Sequence, residues 1–197
     1  YNQYILGLYG GYVFKYKKIS TKAGFRMERT WNDGVSTVSD VNTNFTNRLF
    51  NIVPYLNFTY MPKQGHTVKV SYTQRLSRPG IWYLNPYVND IDSMNISYGN
   101  PSLKSEISNS FETGYTYFTP KFNLSATASA SFTNNAIESI STVQDNGGRV
   151  TTYKNIGKDQ HFGLNIYSSY RPSVKYSVYF NGNLNYSKLE ANSGYSI

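Results

Sequence analysis

The chain has 197 residues, with 19 Lys and Arg against 11 Asp and Glu, a formal net charge of +8. Charged residues are only 15% and aromatic residues 17%, Tyr alone occurring 20 times, so the polarity comes from amides and hydroxyls; such a composition argues against disorder, which would leave the rings in water. Cysteine is absent, which removes disulfides, thiolate zinc sites and cysteine nucleophiles, and no stretch approaches the roughly 18 apolar residues of a transmembrane helix.

The opening "YNQYILGLYGGYVF" lacks the basic start and small-residue cleavage site of a signal peptide, and is expected to belong to a mature or internal segment. Residues Tyr4, Leu6, Leu8, Tyr12, Phe14 and Tyr16 share a parity, the period-two pattern of a strand. The pattern recurs in Ala23, Phe25 and Met27, then in Phe50, Ile52, Leu56, Phe58 and Tyr60, and again in Val68, Val70 and Tyr72. Further on it returns in Phe111, Tyr115 and Tyr117, in 122–132, in Phe162, Leu164, Ile166 and Tyr170, and in Tyr176, Val178, Phe180, Leu184 and Tyr186. About eight strands are predicted, and no helix of period 3.6. Tight turns are expected at 15–20, 61–66, 119–122 and 170–175, where Lys, Pro and Gly supply turn geometry. Longer polar loops are expected at 32–48 and 77–105, and "QDNGGR" (144–149) is expected to tip a long hairpin.

In "FNLSATASASF" (122–132) Phe122, Leu124, Ala126, Ala128, Ala130 and Phe132 occupy one face, and Asn, Ser and Thr the other. Phe122 to Phe132, Phe50 to Tyr60 and Tyr176 to Tyr186 each place rings ten residues apart. At about 3.3 Å per residue and a tilt near 40°, that spacing rises about 25 Å, the height of the apolar band between the aromatic girdles of a membrane barrel. Lipid on the ring-bracketed face and a wet lumen on the other explain the alternation, and short turns alternating with long loops fit the same architecture. A soluble β-sandwich is the alternative, but its strands run about five or six residues, and three successive alanines would fill its core poorly. A self-contained small barrel of structural or adhesin type is a second alternative, requiring the first strand to pair with the last.

One segment goes beyond pattern. Arg78-Pro79, Leu84-Asn85-Pro86, "YGNPSL" (98–103) and "ETGY" (112–115) stand in the order and spacing that resemble the barrel of TonB-dependent outer-membrane receptors; 23–30 and the Pro54-containing 50–60 resemble the preceding strands. The resemblance implies an all-β, antiparallel transmembrane barrel, of which 1–197 would be a partial domain of about eight strands without plug domain or coupling box. It implies a location in the outer membrane of a Gram-negative bacterium. It also implies active import of a nutrient, and as partners membrane lipid or lipopolysaccharide, the remaining strands, the plug and, through it, a TonB-type energy-coupling protein. The closing "NSGYSI" lacks the family's aromatic end.

Candidate ligand contacts lie on the lumen parity and in the long loop. Lys22, Arg26 and Glu28 share that parity, as do Lys69 and Arg75, with Arg78 just beyond. Water reaches charges there, so they are tolerated whether they bind ligand, meet the plug or are merely solvated; Arg78 is expected to fix the start of the loop. Trp82, Tyr83 and Tyr87 could stack on a sugar, peptide or chelate, or pack the loop against itself. Asn89, Asp90, Asp92 and Asn95 offer oxygens, but the Gly and distal Glu of an EF-hand are missing, and no metal or cofactor is expected. No enzyme is expected: of the two histidines, His66 falls in a turn and His161 has no carboxylate at evident spacing, and no hydrolase motif occurs. Lysines gather at the short turns rather than in a stripe among rings, so nucleic-acid binding is not expected.

Overall fold

A computed structural model describes residues 1–38 and 41–191. The strands are β1 (Asn2–Tyr16), β2 (Ile19–Val38), β3 (Val41–Tyr60), β4 (His66–Ser77), β5 (Asn95–Ser97), β6 (Glu106–Phe118), β7 (Phe122–Val143), β8 (Arg149–Ser173) and β9 (Tyr176–Ala191), with one helical turn, α1 (Ile81–Leu84). Eight of the strands form an antiparallel meander β1-β2-β3-β4-β6-β7-β8-β9, and the short β5 adds in parallel to the start of β8. The long strands match the period-two count. β5 and α1 are additions within the 77–105 segment that periodicity did not foresee.

In the segment expected as a loop, 32–48, the described residues 32–38 and 41–48 instead continue β2 and β3, with Asn32 opposite Asn47 and Val35 opposite Asn44. Its polarity disguised a strand whose period lies in burial: Glu28, Thr30, Asn32, Gly34 and Ser36 are buried on β2, as are Phe45, Asn47 and Leu49 on β3, while the residues that alternate with them are not. Residues 192–197, where the missing aromatic end was read, lie outside the described residues.

Register joins the predicted faces across the whole sheet. One row runs Tyr12, Ala23, Leu56, Tyr72, Phe111, Ala130, Phe162, Tyr186; its neighbour runs Val13, Lys22, Asn57, Ser71, Glu112, Ser129, Gly163, Asn185. Since side chains alternate across a strand, the two rows face opposite solvents. On the apolar face two chains of aromatic contacts cross the strands. Tyr72, Phe111, Phe132, Phe162 and Tyr186 follow one another with ring centroids 5.0, 6.3, 5.6 and 6.3 Å apart; His66, Tyr117, Phe122 and Tyr170 follow at 4.5, 6.0 and 6.4 Å. On the same face Val178, opposite Tyr170, and Leu184, opposite Leu164, are 61% and 68% exposed, and neither Leu124 nor Ala128 is buried. No second sheet covers this face among the described residues, so a sandwich core is excluded and hydrocarbon is its fitting solvent.

The β1–β2, β3–β4, β6–β7 and β8–β9 turns share one end of the sheet and carry Lys17, Lys18, Lys63, Lys121 and Lys175. At the other end the 144–148 turn closes with Gly147 at φ +80° and Gln144 N–H donating to Gly148 O at 2.7 Å. Among the described residues β1 pairs only with β2 and β9 only with β8. The sheet is therefore open, and the end-to-end pairing of a self-contained small barrel is not made.

Candidate functional site: the inner face and its folded loop

The β3–β4 ladder ends toward the long loop at Tyr55 opposite Thr73, beside Pro54, which has no N–H to offer. Beyond that point the loop 78–105 folds back over the inner face and ties the two long hairpins together. Asn47 on β3 donates through Nδ2 to Pro101 O and Leu103 O, both at 2.8 Å. Across the gap, Lys104 N–H donates to Asn155 Oδ1 at 2.8 Å, and Asn155 Nδ2 donates to Lys104 O at 3.0 Å. A register shift in β7 between Thr133 and Ala136 turns Asn135 toward the end of the loop, where its Nδ2 donates to Ser105 O at 2.5 Å while its Oδ1 accepts from Ile107 N–H of β6 at 3.1 Å. Phe45, Leu84 and Leu103 make a small buried core, with Ile81, Ile137 and Tyr153 against it. The upper inner face of β2 and β3 is thus covered by protein: Glu28, read from sequence as facing a wet lumen, is buried there, and residues of the 32–48 segment, read as a loop, carry the cover.

The motif residues build this loop. Gly99 N–H donates to Asn85 O at 2.9 Å, Asn100 N–H to Tyr83 O at 2.6 Å and Asn100 Nδ2 to Tyr153 O at 2.9 Å. A Cβ on Gly99 would overlap the carbonyl of Asn85 and stand 2.7 Å from that of Tyr83, so glycine is required by close backbone approach.

Glu28, 3% exposed, lies between two guanidinium groups, Arg26 at 3.2 Å and Arg78 in direct contact. Arg78 fixes the start of the loop to β2, as expected. Arg26 Nε is buried with no hydrogen-bond partner among the described residues. Arg26 and Arg75 line one inner groove of about 670 Å³, with Lys22, Tyr9, Tyr55 and Asn57. Three cations and no carboxylate among its lining residues make that groove receptive to anionic groups. Lys69 stands apart, opposite Thr59 and Gly114 nearer the short turns.

A second concavity, about 290 Å³, lies in the loop. Trp82 and Tyr87 line it together with Asn85, Asn89, Tyr98 and Tyr153. Tyr83, grouped with them from sequence, packs edge-on to Tyr153 at 4.8 Å instead. Tyr98 and Asn85 were visible only as motif residues, and nothing local marked Tyr153. The oxygen-rich 89–95 segment is a turn: Asp92 accepts from Met94 N–H at 2.9 Å and Asn95 Nδ2 at 2.7 Å, which holds its carboxyl below the usual value. No group of three or more His, Cys, Asp or Glu suited to a metal occurs among the described residues.

His161 does meet a carboxylate, contrary to the sequence reading. Its Nε2 lies 2.7 Å from Asp159 Oδ2 and its Nδ1 2.8 Å from Ser187 Oγ. Residues two apart on a strand share a face, so Asp159 was within reach all along. Serine hydrolases use these three groups, but they also need converging donors for an oxyanion. The nearby Ser110, Ser129 and Ser131 lie on β6 and β7, strands paired on both sides whose amides are engaged in ladders.

Strands with an apolar exterior between aromatic belts, a polar interior, short turns at one end and a folded loop at the other define a section of outer-membrane β-barrel wall. The sequence matches the Outer membrane protein beta-barrel family over residues 1–196, and the chain belongs to that family. It is accordingly a protein of the Gram-negative outer membrane. Among solved structures it is similar to the FrpB iron transporter from Neisseria meningitidis (16% identity, TM-score 0.63, covering 96% of this chain and 26% of that one). It is also similar to the copper transporter OprC (14%, 0.66, 94% and 30%) and to the Serratia marcescens hemophore receptor HasR in complex with its hemophore HasA and heme (14%, 0.66, 92% and 34%). At these identities the likeness is one of fold, and the chain spans about a quarter to a third of the structures it resembles. No curated protein matches it.

Proposed function

We propose that this chain is part of the wall of a receptor barrel that captures a scarce nutrient, a chelate, oligosaccharide or peptide, and imports it with energy from a TonB-type partner acting on a plug domain. The observation that carries this reading is the open sheet. Two unpaired edges in lipid would leave rows of N–H and C=O groups unsatisfied, so further strands must complete the wall. Around a wider barrel the inner face encloses space for a plug and a ligand path. The basic groove of Lys22, Arg26 and Arg75 would face the plug or an anionic ligand, while Lys69 is a solvated inner charge and Arg78 serves the loop. On the outside, Arg29 lies over Trp31 with its guanidinium 5.2 Å from the ring, beside Leu6 and Phe50, a combination suited to lipopolysaccharide headgroups. The neighbours' iron, copper and heme ligands support transport rather than catalysis as the class of function.

The test is nutrient-limited growth and uptake by cells lacking the gene for the intact protein, complemented with and without a functional energy-coupling partner. Uptake should require both. Uptake independent of the coupling partner, or an intact protein with no plug domain, overturns the reading.

A further inference from the structure

We propose that the cleft beside α1 binds a neutral saccharide ring and is the place where the receptor first holds an oligosaccharide; this deepens the import reading, resting on it for the ligand's passage but not for its capture. Trp82 is 84% exposed, although Leu84, two residues on in the same turn, is fully buried. The turn is therefore anchored while its indole is held out in water, beside Tyr87 and Tyr98 at 38% exposure each. Rings gathered around a concavity with a few polar groups at their edges are the usual makings of a small-molecule site.

The polar groups define the ligand further. Asn85 turns its side-chain oxygen back to accept from Tyr87 N–H at 3.2 Å, and Asn89 Oδ1 faces Ile91 N–H at 3.5 Å. Among the described residues the amide NH2 groups of Asn85 and Asn89, the indole N–H of Trp82 and the phenols of Tyr87 and Tyr98 have no partner. The cleft thus presents mostly donors around flat apolar faces. A pyranose is the complement, offering a C–H face to a ring and hydroxyl oxygens at its rim. No charged residue lines the cleft, so a carboxylate, a phosphate or an anionic ferric chelate would lose water there without gaining a cation. Such anions fit the separate basic groove.

The site is also ordered in advance. Tyr98 N–H donates to Thr151 O at 3.1 Å, and Asn89 and Ser97 exchange backbone hydrogen bonds of 2.8 and 3.0 Å. Binding therefore need not order the loop, which preserves affinity. A volume near 290 Å³ is at the small end of ligand sites, about 300 to 1,000 Å³, enough for a ring or two of a longer chain.

Calorimetric titration of the intact receptor in detergent with maltohexaose, cellohexaose, xylohexaose and mannohexaose tests this, with ferric citrate as the anionic probe. At least one saccharide should bind saturably, and W82A and Y87A should each weaken it by roughly ten-fold or more, with ferric citrate unable to compete. Lys175→Ala, in a distant turn, should change nothing. N89A, which leaves every ring in place, should weaken binding several-fold and covers the case in which a ring variant fails to fold. Absence of binding by all four saccharides, binding indifferent to W82A and N89A, or displacement by ferric citrate overturns the proposal. Saccharide binding without energy-dependent uptake would keep the cleft and sink the import reading; energy-dependent uptake of an anionic chelate with no saccharide binding would do the reverse.

Discussion

Glu28 on β2 and Arg78, the first residue beyond β4, are joined across the inner face although 50 residues separate them in sequence. The pair pins the root of the 78–105 loop beyond Tyr55 and Thr73, where β3 and β4 part. Glu28 is 3% exposed and its Arg78 partner 26%, so the contact is sheltered from most solvent screening, unlike a surface ion pair.

Arg78→Ala should release the loop root while leaving the wall intact. Glu28 keeps Arg26, so the cost is about 1.5 to 3 kcal/mol, that of a charge-assisted hydrogen bond, and less than the loss from stripping a buried charge of its only partner. Urea unfolding in detergent should show this loss. Hydrogen exchange should rise within 79–105 and stay unchanged between the aromatic belts. Arg78→Ala and Glu28→Gln together should cost less than the sum of the two single changes, since the two residues share one interaction. Unaltered exchange in the loop would show that its root is held by the Asn47 and Asn155 contacts alone.

Two glycines in the same loop should respond oppositely to the same change. At Gly99 an added methyl meets the backbone carbonyls of Asn85 and Tyr83, whereas at Gly80 nothing lies within 4 Å. Gly99→Ala must therefore open the backbone bonds that close the loop, costing about 1 to 3 kcal/mol as an overpacked, strained site. Gly80, at φ −72°, can accept alanine without strain and gains up to about 1 kcal/mol from a less flexible unfolded chain. Protease sensitivity of the loop should rise in the first variant and be unchanged or lower in the second; equal behaviour would remove the steric account of the Tyr-Gly-Asn-Pro motif.

How far the sequence disclosed this arrangement depends on where polarity changes across a strand. Ala126, Ala128 and Ala130 alternate with Ser and Thr, so the outward face of β7 was legible residue by residue. Thr30, Asn32, Ser36 and Asn47 are polar yet buried: Asn47 bonds to loop carbonyls in place of water, Asn32 to Asn47, Tyr1 and Gln3, and Thr30 to Glu28. Hydropathy has no contrast to report there, and the β2–β3 extension read as a loop. Asn135 owes its role to a register shift, which no period reveals. Trp82 and Tyr87 were found as rings on a loop, but the cleft also needs Tyr153 from β8 and Asn85 and Tyr98 from the motif. Ser187 meets His161 through strand pairing that the sequence does not print, whereas Asp159 was two residues away on the same face.

The two faces of β8 should tolerate charge very differently. Leu164 lies between Ala128 and Leu184 on the apolar face, and Asn165, the next residue, between Thr127 and Asn183 on the polar one. Leu164→Arg places a guanidinium in hydrocarbon just inside the Phe162 belt and should cost up to about 2 to 4 kcal/mol, the depth-dependent penalty for a lipid-facing cation. Asn165→Arg, reached by water, should cost little. Folding titrations into lipid vesicles measure both. Equal costs would mean that the Leu164 face does not meet acyl chains, and the membrane orientation of the sheet would fall with that result.

The open edges make a prediction about the segment expressed alone. β1 and β9 each present one side of unpaired backbone to whatever surrounds them, and in a bilayer those groups have no water to turn to. Residues 1–197 refolded in detergent by themselves should associate through these edges into oligomers, as exposed edge strands do. They should not give the compact monomer that runs faster on a gel unless boiled. A cysteine pair at Tyr9 and Asn185, inner-face positions on the two edge strands, should cross-link between molecules and not within one. A monomeric, protease-resistant species with an intramolecular Tyr9→Cys to Asn185→Cys link would mean that the eight strands close on themselves. The lumen would then be too narrow for a plug, because an eight-stranded barrel is filled by its own side chains or holds one small ligand, and the wall-section reading would give way to the small structural barrel.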